Sequence, residues 1–479
     1  MADPVSPRPV AAPASRRAAG PAALRDLQGQ FYPHSIQGWF ANWRVALVVL
    51  TQGLFYGLPW LQWDDRQAVL FDLGARQFFF GGLVLYPQDF IYLTGLLILS
   101  ALGLFLFTAV AGRLWCGYSC PQTVYTEMFM WIERAVEGDG PKQKRLAAAP
   151  WGAHKVAVKG TKHLLWVLLA LWTGITFVGF FSPIRDLLSA IGAFDTGPWE
   201  TFWIGFYGFA AYYNAGFLRE KICKFMCPYA RFQSVMFDPD TLIVSYDAAR
   251  GEPRGVRRKD ADLKAQGLGA CVDCGFCVAV CPTGIDIRKG LQIECISCGA
   301  CIDACDQVMD RMDYPRGLIR YSSQNVMQGK RPSGRWYQHI IRPRVVIYAL
   351  ILIAVSAAMV FSLASREPFR VNVMREASVL SRPTSDGRIE NLYRIKVFNM
   401  SEQPQRYRLQ AEGLPDLAVL SMEGPEFEVP AVGHRILAVY LRVDPNQVAV
   451  GSHAVDFSVS QLGSDQAHTV RERSTFIVR

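Results

Sequence analysis

Long apolar runs alternate with basic, cysteine-bearing segments over most of this chain, and short alternating strands fill its end. Crossing a bilayer takes about 20 apolar residues. Five stretches reach or approach that length: 45–63, 90–112, 164–182, 201–217 and 345–363. The fourth is the weakest, being aromatic and interrupted by Gly205 and Gly208, and it reads equally as a helix buried against its neighbours. Residues 1–43 are rich in Pro, Ala and Arg without periodicity, which predicts a disordered tail ending at the membrane interface. Arg16-Arg17 resembles the start of a twin-arginine signal. The apolar run begins only near Val45 and no small-residue cleavage site follows, so the tail reads as uncleaved. Trp39, Phe40 and Trp43 read as interfacial anchors.

From about Ala364 the pattern changes to β. Residues 393–398, 406–410, 436–443 and 455–459 alternate or run β-branched and aromatic, separated by turn-prone clusters such as Ser385-Asp386-Gly387 and Asp444-Pro445-Asn446. About seven short strands at regular spacing predict an immunoglobulin-like sandwich.

Charge assigns sides. The tail (Arg8, Arg16, Arg17, Arg25), the loop between the second and third stretches, and the segment after the fourth are rich in Lys and Arg. The loops 60–89 and 182–200 are poor in them. The positive-inside rule then predicts a cytoplasmic N-terminus, a cytoplasmic 218–343 segment and an exported C-terminal domain, in a multi-pass protein of a bacterial inner membrane. Cysteine usage agrees, because none of the 12 lies beyond Leu363 and thiolate ligands persist on the reducing side.

Composition narrows the class. The chain has 479 residues, 51% hydrophobic and 19% charged, with mean hydropathy +0.13. That excludes a disordered polymer, and the length excludes a small disulfide scaffold. The net charge of +9 fits basic cytoplasmic loops that meet membrane lipid, so no nucleic acid partner is inferred. The predicted organisation is a membrane α-helical bundle of about five transmembrane helices, a cytoplasmic two-cluster ferredoxin-like domain and an exported all-β immunoglobulin-like sandwich. The expected boundaries are 1–43, 44–235, 236–343, 344–363 and 364–479.

The strongest chemical signal is Cys271-x2-Cys274-x2-Cys277-x3-Cys281-Pro282 followed by Cys295-x2-Cys298-x2-Cys301-x3-Cys305. Two-residue spacing lets consecutive cysteines wrap a cubane, and the fourth cysteine of each run ligates the other cluster. Two 4Fe–4S clusters are expected, one on Cys271, Cys274, Cys277 and Cys305, the other on Cys295, Cys298, Cys301 and Cys281. A pair of zinc knuckles would need four ligands each from two CxxC pairs, a poorer match to two runs of four with Pro282. Asp306 replaces the proline of the second run, and a carboxylate there lowers a nearby cluster's potential.

The second signal is Cys116-Gly-Tyr-Ser-Cys120-Pro121 and Cys223-Lys-Phe-Met-Cys227-Pro228, placed after alternate apolar stretches on one side of the membrane. Cysteines at i and i+4 share a face if the turn is α-helical, and the proline ends that turn or starts the next helix. Four converging thiolates, with Met226 nearby, suit a soft ion such as Cu(I). Arg113, Lys221 and Lys224 are expected to depress the thiol pKa values. The plainer alternatives are buried inert thiols, or a redox dithiol, which ordinarily uses CxxC in a βαβ setting. His34, His154, His163 and His339 lack ligand spacing and read as packing residues. The basic 254–259 segment reads as a solvated face or a contact with anionic lipid. No flavin or nicotinamide fingerprint follows a strand.

These motifs, together with the runs 281–295 and 301–306 and the segment 391–399, resemble the cytochrome oxidase accessory proteins of the CcoG/FixG/RdxA family. The resemblance implies reduction of Cu(II) to Cu(I) for assembly of the cbb3-type cytochrome c oxidase. It also implies homodimers, a copper or redox site on Cys116, Cys120, Cys223 and Cys227, and an electron donor that the sequence does not name. Membrane ferredoxins of the NapH and NosR kind are similar in spans and motifs and imply a quinol-linked relay, with Glu127 and Glu133 as candidate protonatable groups. The fifth apolar stretch and the β-rich end weigh against that alternative. A third reading is an assembly scaffold that docks through its β-domain.

Overall fold

Each of the five apolar stretches folds as a helix in the computed structural model, which describes residues 32–259, 267–330, 341–376, 381–422, 424–463 and 468–478. Helix α1 is Trp39–Gly57, α2 Phe90–Ala111, α3 Pro121–Glu137, α4 Ala153–Val178, α5 Pro198–Tyr213, α6 Pro228–Met236, α7 Ala300–Arg311 and α8 Pro343–Ala364. Among the described residues three of these, α2, α4 and α8, are long and apolar enough to cross a membrane, where five were expected. Helix α1 gives way at Gly57 to a 3-10 turn, Leu58–Trp60, so the first predicted stretch is cut short. Helix α5 has 16 residues and passes into a π-helical turn, Asn214–Leu218. Helices α2 and α8 are apolar all round and bury almost nothing, a surface that suits lipid.

The chain divides into two compact units, residues 1–60 with 97–352, and residues 61–96 with 353–479. In the first, the expected bundle (44–235) and ferredoxin segment (236–343) do not separate into domains. Strand β4 (Ile243–Tyr246) pairs antiparallel with β5 (Ile319–Ser322), and the backbone just before β4 hydrogen-bonds the end of α2 through Leu242 N–H and the Val110 carbonyl (3.0 Å). Asp303 on α7 accepts from the Phe40 and Ala41 amides (3.3 and 2.8 Å), capping α1 with a side chain from the ferredoxin segment. Phe40 therefore is not a lipid anchor. Its ring packs at a tilt against Tyr321 (5.3 Å between centroids) beside Gly299, while Trp39 and Trp43 stay exposed. The end of the predicted tail is held in place, with Ser35 N–H and the His34 ring on Asp139, and α1 starts at Trp39. Residues 1–31 of that tail lie outside the described residues, as does His339.

Buried ion pairs fix the helix arrangement. Glu133 and Glu137 on α3 meet Lys162 (3.4 and 3.0 Å), and Glu133 also meets Arg219 (2.6 Å); Lys162 and Arg219 both lie over the Trp166 ring. Glu127 pairs with Arg44 and Arg134 and accepts from Trp131 Nε1 (3.0 Å). Burial opposes ionisation of Glu127, but the two guanidiniums prevail and hold its pKa below the ordinary value. Glu127 and Glu133, the candidate protonatable groups, are therefore committed to structure. At the α4–α5 crossing, a Cβ on Gly174 would stand 2.4 Å from the Ile204 carbonyl oxygen, so only glycine permits that approach.

In the second unit, β6 (Phe369–Arg375), β7 (Ile389–Asn399), β8 (Gln405–Glu412), β9 (Ala418–Ser421), β10 (Glu426–Val429), β11 (His434–Val443), β12 (Gly451–Leu462) and β13 (Thr469–Val478) form two antiparallel sheets. Their orders are β9-β11-β7-β6 and β10-β8-β12-β13. Inward positions of both sheets, such as Ile395, Tyr407, Val439 and Phe457, make one buried core. The 61–89 region, read as a loop, instead forms a three-stranded sheet of β1 (Val69–Asp72), β2 (Gln77–Phe80) and β3 (Leu83–Leu85). Leu70, Phe79, Val84 and Tyr86 share a core with Phe398.

Buried Asp89 fastens this small sheet by pairing with Arg366 (2.5 Å) and Arg370 (2.8 Å). Removing one partner of a buried pair typically costs about 3–5 kcal/mol. Asp89→Ala is expected to speed amide hydrogen exchange in β1–β3 while leaving β12 and β13 unchanged.

Candidate redox site

In the sequence the eight ferredoxin-type cysteines form two runs; in space they regroup. One cavity is lined by Cys271, Cys274, Cys277 and Cys305. A second is lined by Cys281, Cys295, Cys298 and Cys301, and Cys277 reaches both. Local backbone produces each cradle. Asp273 and Gly275 in the first run, and Ser297 and Gly299 in the second, all have positive φ between 52° and 73°, so the chain curls around each cavity in the same way twice.

The thiols fit an iron–sulfur core on chemical grounds. Burial pushes Cys277 up to about 11 and Cys295 and Cys305 up to about 12, and raises Cys298 and Cys301 as well. Such groups stay protonated unless a cationic centre replaces the protons. Among the described residues no three His, Cys, Asp or Glu side chains stand at single-ion spacing. Thiolates around one tetrahedral zinc would lie about 3.8 Å apart.

The two CxxxCP motifs flank this region. Cys116 sits in the short helix Leu114–Tyr118, and Cys120 caps α3 with Pro121 in its first turn. Cys223 lies in a second π-helical turn, Ile222–Met226, closed by Cys227 N–H to the Ile222 carbonyl (2.8 Å); Cys227 caps α6 with Pro228 in its first turn. The α-helical turn assumed for both motifs is therefore a π turn in the second, a form frequent at functional sites. Each proline starts the next helix.

The four thiols converge. Cys120, Cys223 and Cys227 each act electrostatically on Cys116, and Cys120 and Cys227 act on Cys223. Buried Gln233 on α6 holds the two motifs together. Its Oε1 accepts from Cys116 Sγ (3.4 Å), and its Nε2 donates to the Thr108 and Tyr229 hydroxyls (3.1 Å each). Met226 is 62% exposed and stands apart. The expectation that basic neighbours depress the thiol pKa values is wrong. Burial dominates and pushes Cys116 up to about 12 and Cys223 to about 11, although Arg113 acts in the expected direction on both.

The first motif rests on the ferredoxin loop. A Cβ on Gly117 would meet the Ile296 carbonyl oxygen at 2.6 Å and the Cys298 backbone at 3.0–3.1 Å. Tyr118 OH donates to the Cys298 carbonyl (3.2 Å), and the Arg113 guanidinium donates to the carbonyls of Ile293 and Ala230. Cys116 packs in the same apolar cluster as Cys298. Arg44, which the sequence reading missed as an ordinary charge at a helix start, acts electrostatically on Cys298 and Cys281. Asp306 acts on Cys305, so its charge bears on the first cavity.

Known proteins with iron–sulfur domains resemble the same segments of the chain. Residues 218–324 match the 4Fe-4S dicluster domain family, and residues 93–137 a 4Fe-4S binding domain. Residues 359–479 match the IG-like fold at the C-terminal of FixG. The nitrogen fixation protein FixG of Rhizobium meliloti is 36% identical over 430 residues, covering 83% of this chain and 82% of its own. The chain belongs to the FixG/RdxA family. Proteins RdxB and RdxA of Cereibacter sphaeroides are 39% and 38% identical, covering 82% and 86% of this chain and 84% and 88% of theirs. As a FixG-type protein it is a membrane iron–sulfur redox protein whose chemistry is electron transfer, with an immunoglobulin-like C-terminal domain.

A Cβ cannot be placed at Gly117 without moving backbone on the cluster-binding loop. Gly117→Ala is expected to lower the iron content per chain, whereas Gly103→Ala, in open space on α2, leaves it unchanged. Iron analysis of the two purified variants checks this.

Proposed function

We propose that this FixG-type protein reduces Cu(II) to Cu(I) at the four CxxxCP thiols, supplying Cu(I) for assembly of the cbb3-type oxidase. The observation that carries the reading is the convergence of Cys116, Cys120, Cys223 and Cys227 into one mutually interacting group beside Cys298. Soft thiolates stabilise Cu(I) over Cu(II), so the site favours the product ion of a one-electron reduction. Cys271, Cys274, Cys277 and Cys305 hold one 4Fe–4S cluster in this reading, and Cys281, Cys295, Cys298 and Cys301 the other. Such clusters supply one-electron transfer when bound. The chain's own groups do the rest. Gln233 fixes the Cys116 rotamer, Arg113 places positive charge where thiolates form, and Gly117 with Tyr118 sets the thiol site against the cluster loop.

The same reading has the protein in the bacterial inner membrane, N-terminus cytoplasmic and C-terminal domain periplasmic, as a homodimer working with the oxidase assembly machinery. The 22-residue apolar helices α2 and α8 support the membrane location, and the lack of cysteine after Leu363 supports the orientation.

A second reading has one observation in its favour. The 4Fe-4S binding domain match over 93–137 contains Cys116 and Cys120, which is consistent with a third cluster on the four CxxxCP thiols. The two readings separate in the Cys116/Cys120/Cys223/Cys227→Ser variant, assayed for iron and for Cu(I) formation with a chromogenic Cu(I) chelator. The copper reading expects about eight iron atoms per chain in both proteins and at least about a tenfold loss of Cu(I) formation in the variant. A fall from about twelve iron atoms to eight supports the third cluster, and unchanged Cu(I) formation overturns the copper site.

A further inference from the structure

A cavity of about 460 Å³ lies within the first unit among α1, α3, α4 and α5, and the reading above gives it no role. Its volume is that of a small-molecule site. No Lys, Arg, Asp or Glu lines it, so it does not suit a phosphorylated or otherwise charged donor, or a free metal ion. Its walls are of two kinds. Phe55, Phe177 and Tyr207 supply aromatic surface, with the last two rings 3.8 Å apart between centroids. Facing them are the neutral hydrogen-bonding groups of Gln52, Tyr125 and Thr173.

These polar groups form a partly satisfied network. The Tyr56 and Thr173 hydroxyls are 2.8 Å apart, and the Tyr125 hydroxyl lies close to Tyr56, Thr173 and Gln52. The Gln52 Oε1 atom is buried without a hydrogen-bond partner, which is costly unless a donor enters the cavity. The cavity also adjoins the thiol site, because Ser119 and Pro121, on either side of Cys120, form part of its wall. Gln122 joins it to the π turn that ends α5, ahead of the second motif, by donating to the carbonyls of Asn214 and Arg219 (3.0 and 3.2 Å).

We propose that this cavity binds a membrane hydroquinone, whose flat ring lies against the aromatic wall and whose hydroxyl donates to Gln52 Oε1. The hydroquinone is then the electron donor for the copper chemistry, an inference that rests on the copper reading. Each hydroquinone loses two electrons and two protons to become quinone. Two Cu(II) ions each gain one electron to become Cu(I), and the protons pass to water.

The test uses full-length detergent-solubilised protein with its clusters, duroquinol or dithionite as reductant, and Gln52→Leu and Ala211→Phe variants. Gln52→Leu removes the acceptor at similar size, and Ala211→Phe fills the cavity. Quenching of intrinsic fluorescence by menadione, without copper, reports binding. Saturable quenching is expected in the wild type and at least about tenfold weaker binding in both variants. Duroquinol-driven Cu(I) formation, above the protein-free rate, is expected to fall at least about tenfold in both, with Cu(I) formation by protein pre-reduced with dithionite and then freed of it within about twofold of wild type. Unchanged menadione binding, or unchanged duroquinol-driven rates in both variants, overturns the proposal. No Cu(I) formation by the pre-reduced, dithionite-free wild type, with menadione binding intact in it and lost in the variants, overturns the copper reading and leaves the quinone site standing.

Discussion

Backbone meets backbone where the first CxxxCP turn crosses the loop carrying Cys298, and the contact leaves no room for a Cβ at Gly117. Interaction at that distance is possible only if both segments hold their shape. The helix Leu114–Tyr118 and the α3 cap fix one side, and the left-handed Ser297 and Gly299 fix the other. Arg113 then clamps Ile293 and Ala230, and Tyr118 holds the Cys298 carbonyl. Because of this contact the helical segment and the ferredoxin segment form one unit, and the thiol site stands beside the second cluster cradle rather than at the end of a tether.

Electrostatics gives the unit its purpose. Burial raises thiol pKa values in both the cradles and the CxxxCP site, so each group is stable as thiolate only with a cationic centre at hand. The surrounding helices deal with their buried carboxylates differently, by pairing them. Glu127, Glu133 and Glu137 are each matched to two Lys or Arg side chains, so each stays compensated as a carboxylate. Uncompensated thiols in one place and compensated carboxylates in another separate the redox site from its frame.

The parts legible in the sequence are those governed by local spacing. Cluster ligands repeat at two-residue intervals because the cradle is built by one short loop, and the crossover of Cys281 and Cys305 follows from that geometry, as the two cavities reflect. Strands β7, β8, β11 and β12 were readable because their inward positions alternate. What escaped was decided by distant partners. Phe40 looks like any interfacial aromatic until Tyr321 and Gly299 are brought beside it. The 69–85 strands are short and find their core only against Phe398, more than 300 residues away. The thiol pKa values were misjudged because nearby Lys and Arg are visible in a sequence and desolvation is not.

The central claim is that electrons held in the ferredoxin segment leave through the four CxxxCP thiols. The most direct test mixes anaerobic, dithionite-reduced protein with Cu(II) and follows cluster absorbance over a single turnover, in the wild type and in the Cys116/Cys120/Cys223/Cys227→Ser variant with both clusters loaded. Fast, saturable reoxidation in the wild type, slowed at least about tenfold in the variant, is the predicted result. Equal rates in the two proteins would contradict the account, because copper would then take electrons from the clusters without using the thiol site.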